Sequence, residues 1–305
     1  PLGYLLPSRW RRLHRKLCVV DGQMAFCGGI NLLDDLHDPN YGALESPRLD
    51  FTVRACGALA QQVHDTMAQL WWRLQAARDT RQRHFPAALS SLRTATGYRR
   101  AARTVTKDSE GDIHFAQALL LLRDNVRYRS RIERAYRRAI GQARHEIIIA
   151  NAYFVPGRKL RKALMMAAQR GVKVQLLLQG KYEYFMQYHA VRPVYGALLG
   201  CGVEIYEYSA SFLHAKVAVV DAHWVTVGSS NLDPLSLLLA REANVVVNDA
   251  GFAADLRARL VYAMENGGQR VEAAQYASRP WHQRLRDLTA FGLMRVALFV
   301  TGYRY

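Results

Sequence analysis

A stretch of twenty residues occurs twice in this chain, 200 positions apart. LHRKLCVVDGQMAFCGGINL, from Leu13 to Leu32, returns as LHAKVAVVDAHWVTVGSSNL, from Leu213 to Leu232, with nine of the twenty positions identical. The period is far too long for a solenoid, so the repeat reads as two copies of one domain. A duplicated domain commonly packs about a pseudo-twofold axis, which brings equivalent residues together at the interface. Within each copy, His-x-Lys leads into a short apolar strand, Leu17 to Val20 or Val217 to Val220. A turn follows at Asp21-Gly22 or Asp221-Ala222, and a second strand runs to Gly28 or Gly228. Side chains two apart on a strand share a face, so His14 projects with Lys16 and His214 with Lys216.

Around the second copy the pattern alternates between strand and helix. Strands are expected at Ala118–Leu122, Glu146–Ala150, Val172–Leu178 and Val203–Tyr206. Helices are expected at Val126–Ala143, Arg158–Arg170 (stopped by Gly171) and around Tyr195–Leu199. Such βαβα alternation predicts an α/β fold: two halves, each a mostly parallel sheet flanked by helices. Only thirteen residues precede His14, and the chain opens on Pro1, so the first half is expected to be N-terminally incomplete. Gly57–Arg78 reads as a helix with Trp71 and Trp72 in the core, and the polar stretch Arg81–Gly111 as a connector. The expected division is 1–111 for the first half and connector, 112–266 for the second half, and 267–305 for a basic amphipathic tail.

The repeated residue types suit phosphoryl transfer. One histidine can attack phosphorus and carry it covalently, while the other protonates the leaving alcohol and later deprotonates the incoming one. Lys16, Lys216, Asn31 and Asn231 can hold the non-bridging oxygens as charge develops. No spacing suggests a metal ligand set, and no cofactor is expected.

His14-x-Lys16-x4-Asp21 and His214-x-Lys216-x4-Asp221, each followed by Gly-x-x-Asn (Gly28 and Asn31; Gly228, Ser229 and Asn231), resemble the signature of the phospholipase D superfamily. RDN at Arg123–Asn125, IERAY at Ile132–Tyr136, NAYFVPG at Asn151–Gly157 and GSSNLDPLSL at Gly228–Leu237 resemble bacterial cardiolipin synthases of the shorter kind, without N-terminal membrane helices. The resemblance spans essentially the whole chain. It implies a catalytic set of His14, Lys16, Asp21, His214, Lys216 and Asp221, with Ser229 joining the lysines and asparagines at the phosphate. It also implies an acidic residue behind each motif that orients that motif's histidine: Asp50 for His14, Glu242 for His214. The implied reaction moves a phosphatidyl group from one phosphatidylglycerol to an enzyme histidine, releasing glycerol, and then to a second phosphatidylglycerol. By analogy His14 is the nucleophile and His214 the acid and base. Gly29 stands where the second copy has Ser229, so the half-sites are not equivalent.

Composition narrows the partners. The net charge of +17 calls for an anionic one. The implied partner is anionic phospholipid (phosphatidylglycerol) at a membrane surface, on the cytoplasmic side of the bacterial inner membrane, with no specific nucleic acid. Cys18, Cys27, Cys56 and Cys201 show no paired spacing, which fits a reducing compartment. Basic residues Arg158, Lys159, Arg161, Lys162 and Arg170 surround one helix. The tail from Leu285 interleaves Arg286, Arg295 and Arg304 with leucine, phenylalanine and valine, as an interfacial helix does. Two other classes fit the same motifs: a phospholipase D-type phosphodiesterase or nuclease, and an inactive remnant that only binds anions or membranes.

Overall fold

The structure, a computed structural model, describes residues 12–38, 41–108, 117–124, 128–182, 185–233 and 240–300. Asn125, Leu237 and Arg304, named above, fall outside them.

The main sheet belongs to the second half. Its strands are β7 (Gln117–Arg123), β8 (Glu146–Asn151), β9 (Lys173–Gln179), β10 (Glu204–Tyr208), β11 (Lys216–Val220), β12 (Trp224–Gly228), β13 (Ala240–Asn248) and β14 (Gly268–Arg270). They are joined by β1 (Arg12–Leu13) from the first half, in the order β1-β13-β12-β11-β8-β9-β10-β14. β7 lies antiparallel on the same edge of β13, end to end with β1. Parallel pairing holds where a helix links the strands, at β8, β9 and β10. Where the turn at Asp221 and Ala222 links β11 to β12 the pairing is antiparallel, so the sheet as a whole is mixed.

Side-chain alternation fills both faces. Ile147, Ile149, Val174, Leu176 and Leu178 point to one core, Ile148, Ala150, Val217 and Val219 to the other. The first face is covered by α3 (Arg131–Gln142), α4 (Arg158–Gln169) and α5 (Phe185–Leu199). The apolar stripe of α3 is Ile132, Tyr136, Ala139 and Ile140. It begins at Arg131, not Val126, because 128–130 form a bend and turn. Gly171, at φ +87°, stops α4 as the sequence reading expects. The second face is covered by α6 (Ala250–Gly267), whose N-cap Asp249 accepts from the Phe252 amide at 2.7 Å, and by the first half.

That first half is a three-stranded antiparallel sheet, β2 (Lys16–Val20), β3 (Met24–Gly28) and β6 (Thr52–Cys56), with α1 (Gly57–Arg81) behind it and the small hairpin β4–β5 (His37–Asp38, Gly42–Ala43) beside it. Its Ala25, Cys27, Val53, Ala60 and Val63 join the same core as Ile148 and Val217, so one core runs through both halves. The expected connector is instead a helix, α2 (Phe85–Asp108), folded back on α1. Its Ala88 and Ala95 are buried, and Ser91 donates to Asp79 at 3.2 Å. The tail likewise begins as structure: β14 extends the sheet beside β10. It continues as α7 (Ala273–Ala277) and α8 (Trp281–Val300).

Trp71 departs from its expected place. α1 and α6 are counterparts, each following the third strand of its half. Ala60, Val63, Met67 and Trp71 step along α1 as Ala253, Leu256, Leu260 and Met264 step along α6. Leu260 and Met264 are buried beneath the wide sheet, whereas Met67 and Trp71 are exposed. Trp72 is half-buried.

A core position and an exposed one of the same type should therefore differ sharply. Leu164→Ala, fully buried on α4, should cost about 2–5 kcal/mol in urea unfolding. Leu89→Ala, on the open face of α2, should cost less than about 0.5 kcal/mol.

Candidate active site

Both His-x-Lys segments lie where the halves meet, and the backbone sets their pairing. β1 runs parallel to the start of β13, with Leu13 opposite Arg241, and the His14 amide donates to the Arg241 carbonyl at 3.0 Å. The other half mirrors this. Leu49 bridges Leu213 in parallel, and the His214 amide donates to the Leu49 carbonyl at 2.9 Å. Arg241 precedes Glu242 and Leu49 precedes Asp50. Each histidine is thus set beside the carboxylate of the opposite half.

The side chains complete that exchange. His14 Nδ1 lies 3.0 and 3.1 Å from the two Glu242 carboxylate oxygens, and His214 Nδ1 lies 2.6 Å from Asp50 Oδ2. The expected pairing within each half is corrected: Asp50 serves His214, and Glu242 serves His14. A carboxylate at Nδ1 accepts the hydrogen bond of that N–H, fixing the tautomer that leaves the Nε2 lone pair for chemistry. Both rings keep some exposure, 32% for His14 and 19% for His214, while their carboxylates are buried.

Burying Glu242 needs compensation, and the neighbours supply it. Ser229 donates to Glu242 Oε2 at 2.5 Å and accepts from the Ala243 amide at 3.1 Å. Arg123, fully buried, faces Glu242 across the β7–β13 ladder. Arg15 donates to the Glu242 carbonyl at 3.2 Å and to the Arg123 carbonyl at 3.1 Å. Burial lowers both guanidinium pKa values to about 10, and the charge of Glu242 opposes the fall. Ser229 is thereby committed to a carboxylate instead of to the expected phosphate contact. Gly29, its counterpart, makes room: a Cβ there would fall 2.2 Å from Asp50 Oδ1. The sequence singled out neither Arg15 nor the charge-balancing place of Arg123. Their signal was an arginine inside the repeat and another in the RDN motif.

The lysines lie inside the histidines' cluster. Lys16 Nζ donates to the His14 carbonyl at 3.1 Å, and Lys216 Nζ donates to the His214 carbonyl. An ammonium has three protons, so each can still donate to an anion. Burial lowers the Lys16 pKa to about 8, against the pull of both Glu242 and Asp50. Burial also pushes His214 down to about 4. Lys216 and Lys16 add to the fall, and the hydrogen bond and charge of Asp50 resist it. These mutual influences mark one centre fed by both halves. Asn231 is buried close after Ser229, and Asn31 is half-buried in the matching place. Among the described residues no cluster of three or more His, Cys, Asp or Glu could hold a metal ion.

Asp21 and Asp221 do not join this centre. They occupy the turns at the far ends of β2 and β11, both at positive φ. Asp221 accepts from the amides of Arg144, His145 and Glu146 at 2.8, 2.8 and 3.0 Å, tying the hairpin to the α3–β8 loop. Its partial burial opposes ionisation, but these three amides outweigh that and hold its carboxyl below the usual range. Asp221, expected in the catalytic set, thus ties a hairpin to its neighbouring loop, and Asp21 sits in the matching turn, away from the centre.

The profile of a family described as cardiolipin synthase, PLD-like domain, matches residues 136–262. Cardiolipin synthase B of Escherichia coli (strain K12) is 37% identical over 295 residues, covering 94% of this chain and 64% of that protein. A minor cardiolipin synthase of Bacillus subtilis (strain 168) is 25% identical over 276 residues, covering 90% of this chain and 61% of its own. The chain thus spans less than two thirds of each of these relatives. The crystal structure of a phosphatidylserine synthase from Haemophilus influenzae superposes with a TM-score of 0.62 at 12% identity, covering 97% of this chain and 72% of that one. That last likeness is one of fold.

Two measurements test the site. Asp221→Ala should lower stability by about 1–2 kcal/mol through loss of its amide bonds, with turnover changed less than about twofold. A large loss of turnover at full stability would return Asp221 to the catalytic set. His214 binds its proton only near pH 4 when folded, against about 6.5 when unfolded, so stability should fall as pH drops through that window. The fall should reach about 3 kcal/mol and be absent in His214→Asn, whose amide still donates to Asp50.

Proposed function

We propose that this chain, which belongs to the phospholipase D superfamily, transfers a phosphatidyl group between two phosphatidylglycerol molecules to give cardiolipin and glycerol. The observation that carries the reading is the exchange of carboxylates between halves. It yields two histidines with free Nε2 atoms and two lysines in one electrostatic neighbourhood, the set a two-step displacement at phosphorus requires.

In the first step His14 Nε2 attacks phosphorus and forms an N–P bond. The P–O bond to glycerol breaks, and His214 gives its Nε2 proton to the departing oxygen. Glu242, held by Ser229 and the Arg123 and Arg15 pair, stabilises the imidazole of His14 as it becomes positive. In the second step neutral His214 takes the proton from a hydroxyl of the second phosphatidylglycerol. That oxygen forms the new P–O bond, the N–P bond breaks, and His14 is restored. Lys16, Lys216, Asn31 and Asn231 stabilise the non-bridging oxygens through both steps.

His214 must be protonated to act first as an acid, yet in the empty site burial keeps it neutral at pH 7. The anionic phosphodiester raises its pKa on entering, so substrate binding and proton uptake are coupled. The proposed setting is the cytoplasmic surface of the inner membrane. No helix among the described residues is long and apolar enough to cross a bilayer.

On phosphatidylglycerol vesicles, His14→Ala and His214→Ala should each lower cardiolipin formation by at least about 10³-fold. Acid quenching with phosphatidylglycerol labelled in the phosphatidyl portion should trap label on a peptide containing His14. Label on His214 would exchange the two roles. Full activity in either variant would end the two-histidine reading. Release of phosphatidic acid with no transfer to alcohols would mark a phosphodiesterase instead.

A further inference from the structure

The chain's last helix carries an apolar stripe on its outer face. Trp281, Leu285, Leu288 and, one step past Gly292, Val296 recur at helical spacing on α8 and are 55–75% exposed. The opposite face is fixed to α5. The sole carboxylate between Trp281 and Val300 is Asp287. It is buried against His189 of α5 at 2.7 Å and against Arg279 at 3.0 Å. The outer face therefore carries no negative charge, and Arg284, Arg286 and Arg295 flank its stripe.

Beneath the start of this stripe lies a cavity of about 540 Å³, lined by α5, α7 and α8. Gly196 and Gly200 leave its floor open, Leu199 and Leu288 make it apolar, Asp287 and Arg279 line it as an ion pair, and Arg284 stands at it exposed. That volume lies within the range of small-ligand sites. The cavity is remote from the histidines. β9 ends beside Leu213, where Gln179 accepts from the Leu213 amide, and α5 then runs back along the sheet. The cavity lies at the far end of α5, next to the start of β10.

We propose that α8 lies on the membrane surface and that this cavity takes the acyl chain of one anionic phospholipid, whose phosphate is held by Arg284. The site is separate from the reacting centre and does not depend on turnover. Charge selects the occupant. A second copy docked stripe to stripe would bring the flanking arginines against their own kind, whereas an anionic leaflet pairs with all of them. A helix with one apolar face, cationic borders and too little hydrophobicity to span belongs in the interface plane.

The test uses the full chain and vesicles of phosphatidylcholine with and without phosphatidylglycerol. Flotation should show binding that depends on phosphatidylglycerol, weakens with salt and is unaffected by inorganic phosphate. Leu285→Asp with Val296→Asp should weaken it about tenfold or more. Phosphatidylglycerol bearing a photoreactive acyl chain should label the segments around Gly196 and Leu288. Gly196→Leu, which fills the cavity, should abolish that label while urea unfolding confirms the fold. Arg284→Glu, an exposed change, should weaken labelling without touching the core. All of this should persist in His214→Ala, so loss of catalysis and loss of this site are separable. Equal binding to neutral vesicles, labelling indifferent to Gly196→Leu, or a concentration-dependent dimer broken by Leu285→Asp would overturn the proposal.

Discussion

The fold turns on two short parallel contacts, Leu13 with Arg241 and Leu49 with Leu213. Each is only one or two residues long, yet each fixes a histidine amide to the carbonyl just before the other half's carboxylate. Side-chain pairing between halves follows from that register, because a shift of one residue would turn Glu242 or Asp50 to the opposite face of its strand. Neither half can position its own histidine. The interface is therefore part of the chemistry, and the shared core beneath it, from Val53 and Ala60 to Val217 and Val245, keeps the two halves in place.

The same exchange explains the inequality of the two half-sites. Glu242 is fully buried, its carboxylate is bonded by Ser229 and His14, and the nearby charges of Arg123 and Arg15 offset its own. Asp50 has its own amide neighbour, Phe51 at 2.8 Å, and the space vacated by Gly29. A serine at position 29 would collide with the carboxylate that the glycine admits. The Gly29-for-Ser229 departure within the repeat is thus a fit between a small residue and a close acid, and it leaves His14 and His214 in different fields.

A repeat does not guarantee equal packing. α1 and α6 present the same apolar spacing, but the sheet beneath α6 reaches from β8 to β14 while that beneath α1 has three strands. Among the described residues Leu260 and Met264 are covered by the sheet beneath α6, whereas Met67 and Trp71 are exposed. α8 differs in kind: its inward face packs on α5, and its Leu285 and Leu288 face outward.

The sequence by itself determined the duplication, the strand–helix alternation of the second half and the residues that meet in the centre. These depend on local spacing and on residue chemistry, which a chain carries in its letters. It left Arg81–Gly111 as connector because a polar, basic helix lacks a strong apolar stripe, although Ala88, Ser91 and Ala95 suffice to seat it on α1. Only the tertiary structure decided which acid meets which histidine, since Asp50 and Glu242 are close in sequence to the wrong partner and close in space to the right one. It alone moved Asp221 to the loop before β8 and Ser229 to Glu242. Hydrogen bonds spanning 75 to 77 residues, or an interface spanning 228, arise from packing that no local pattern encodes.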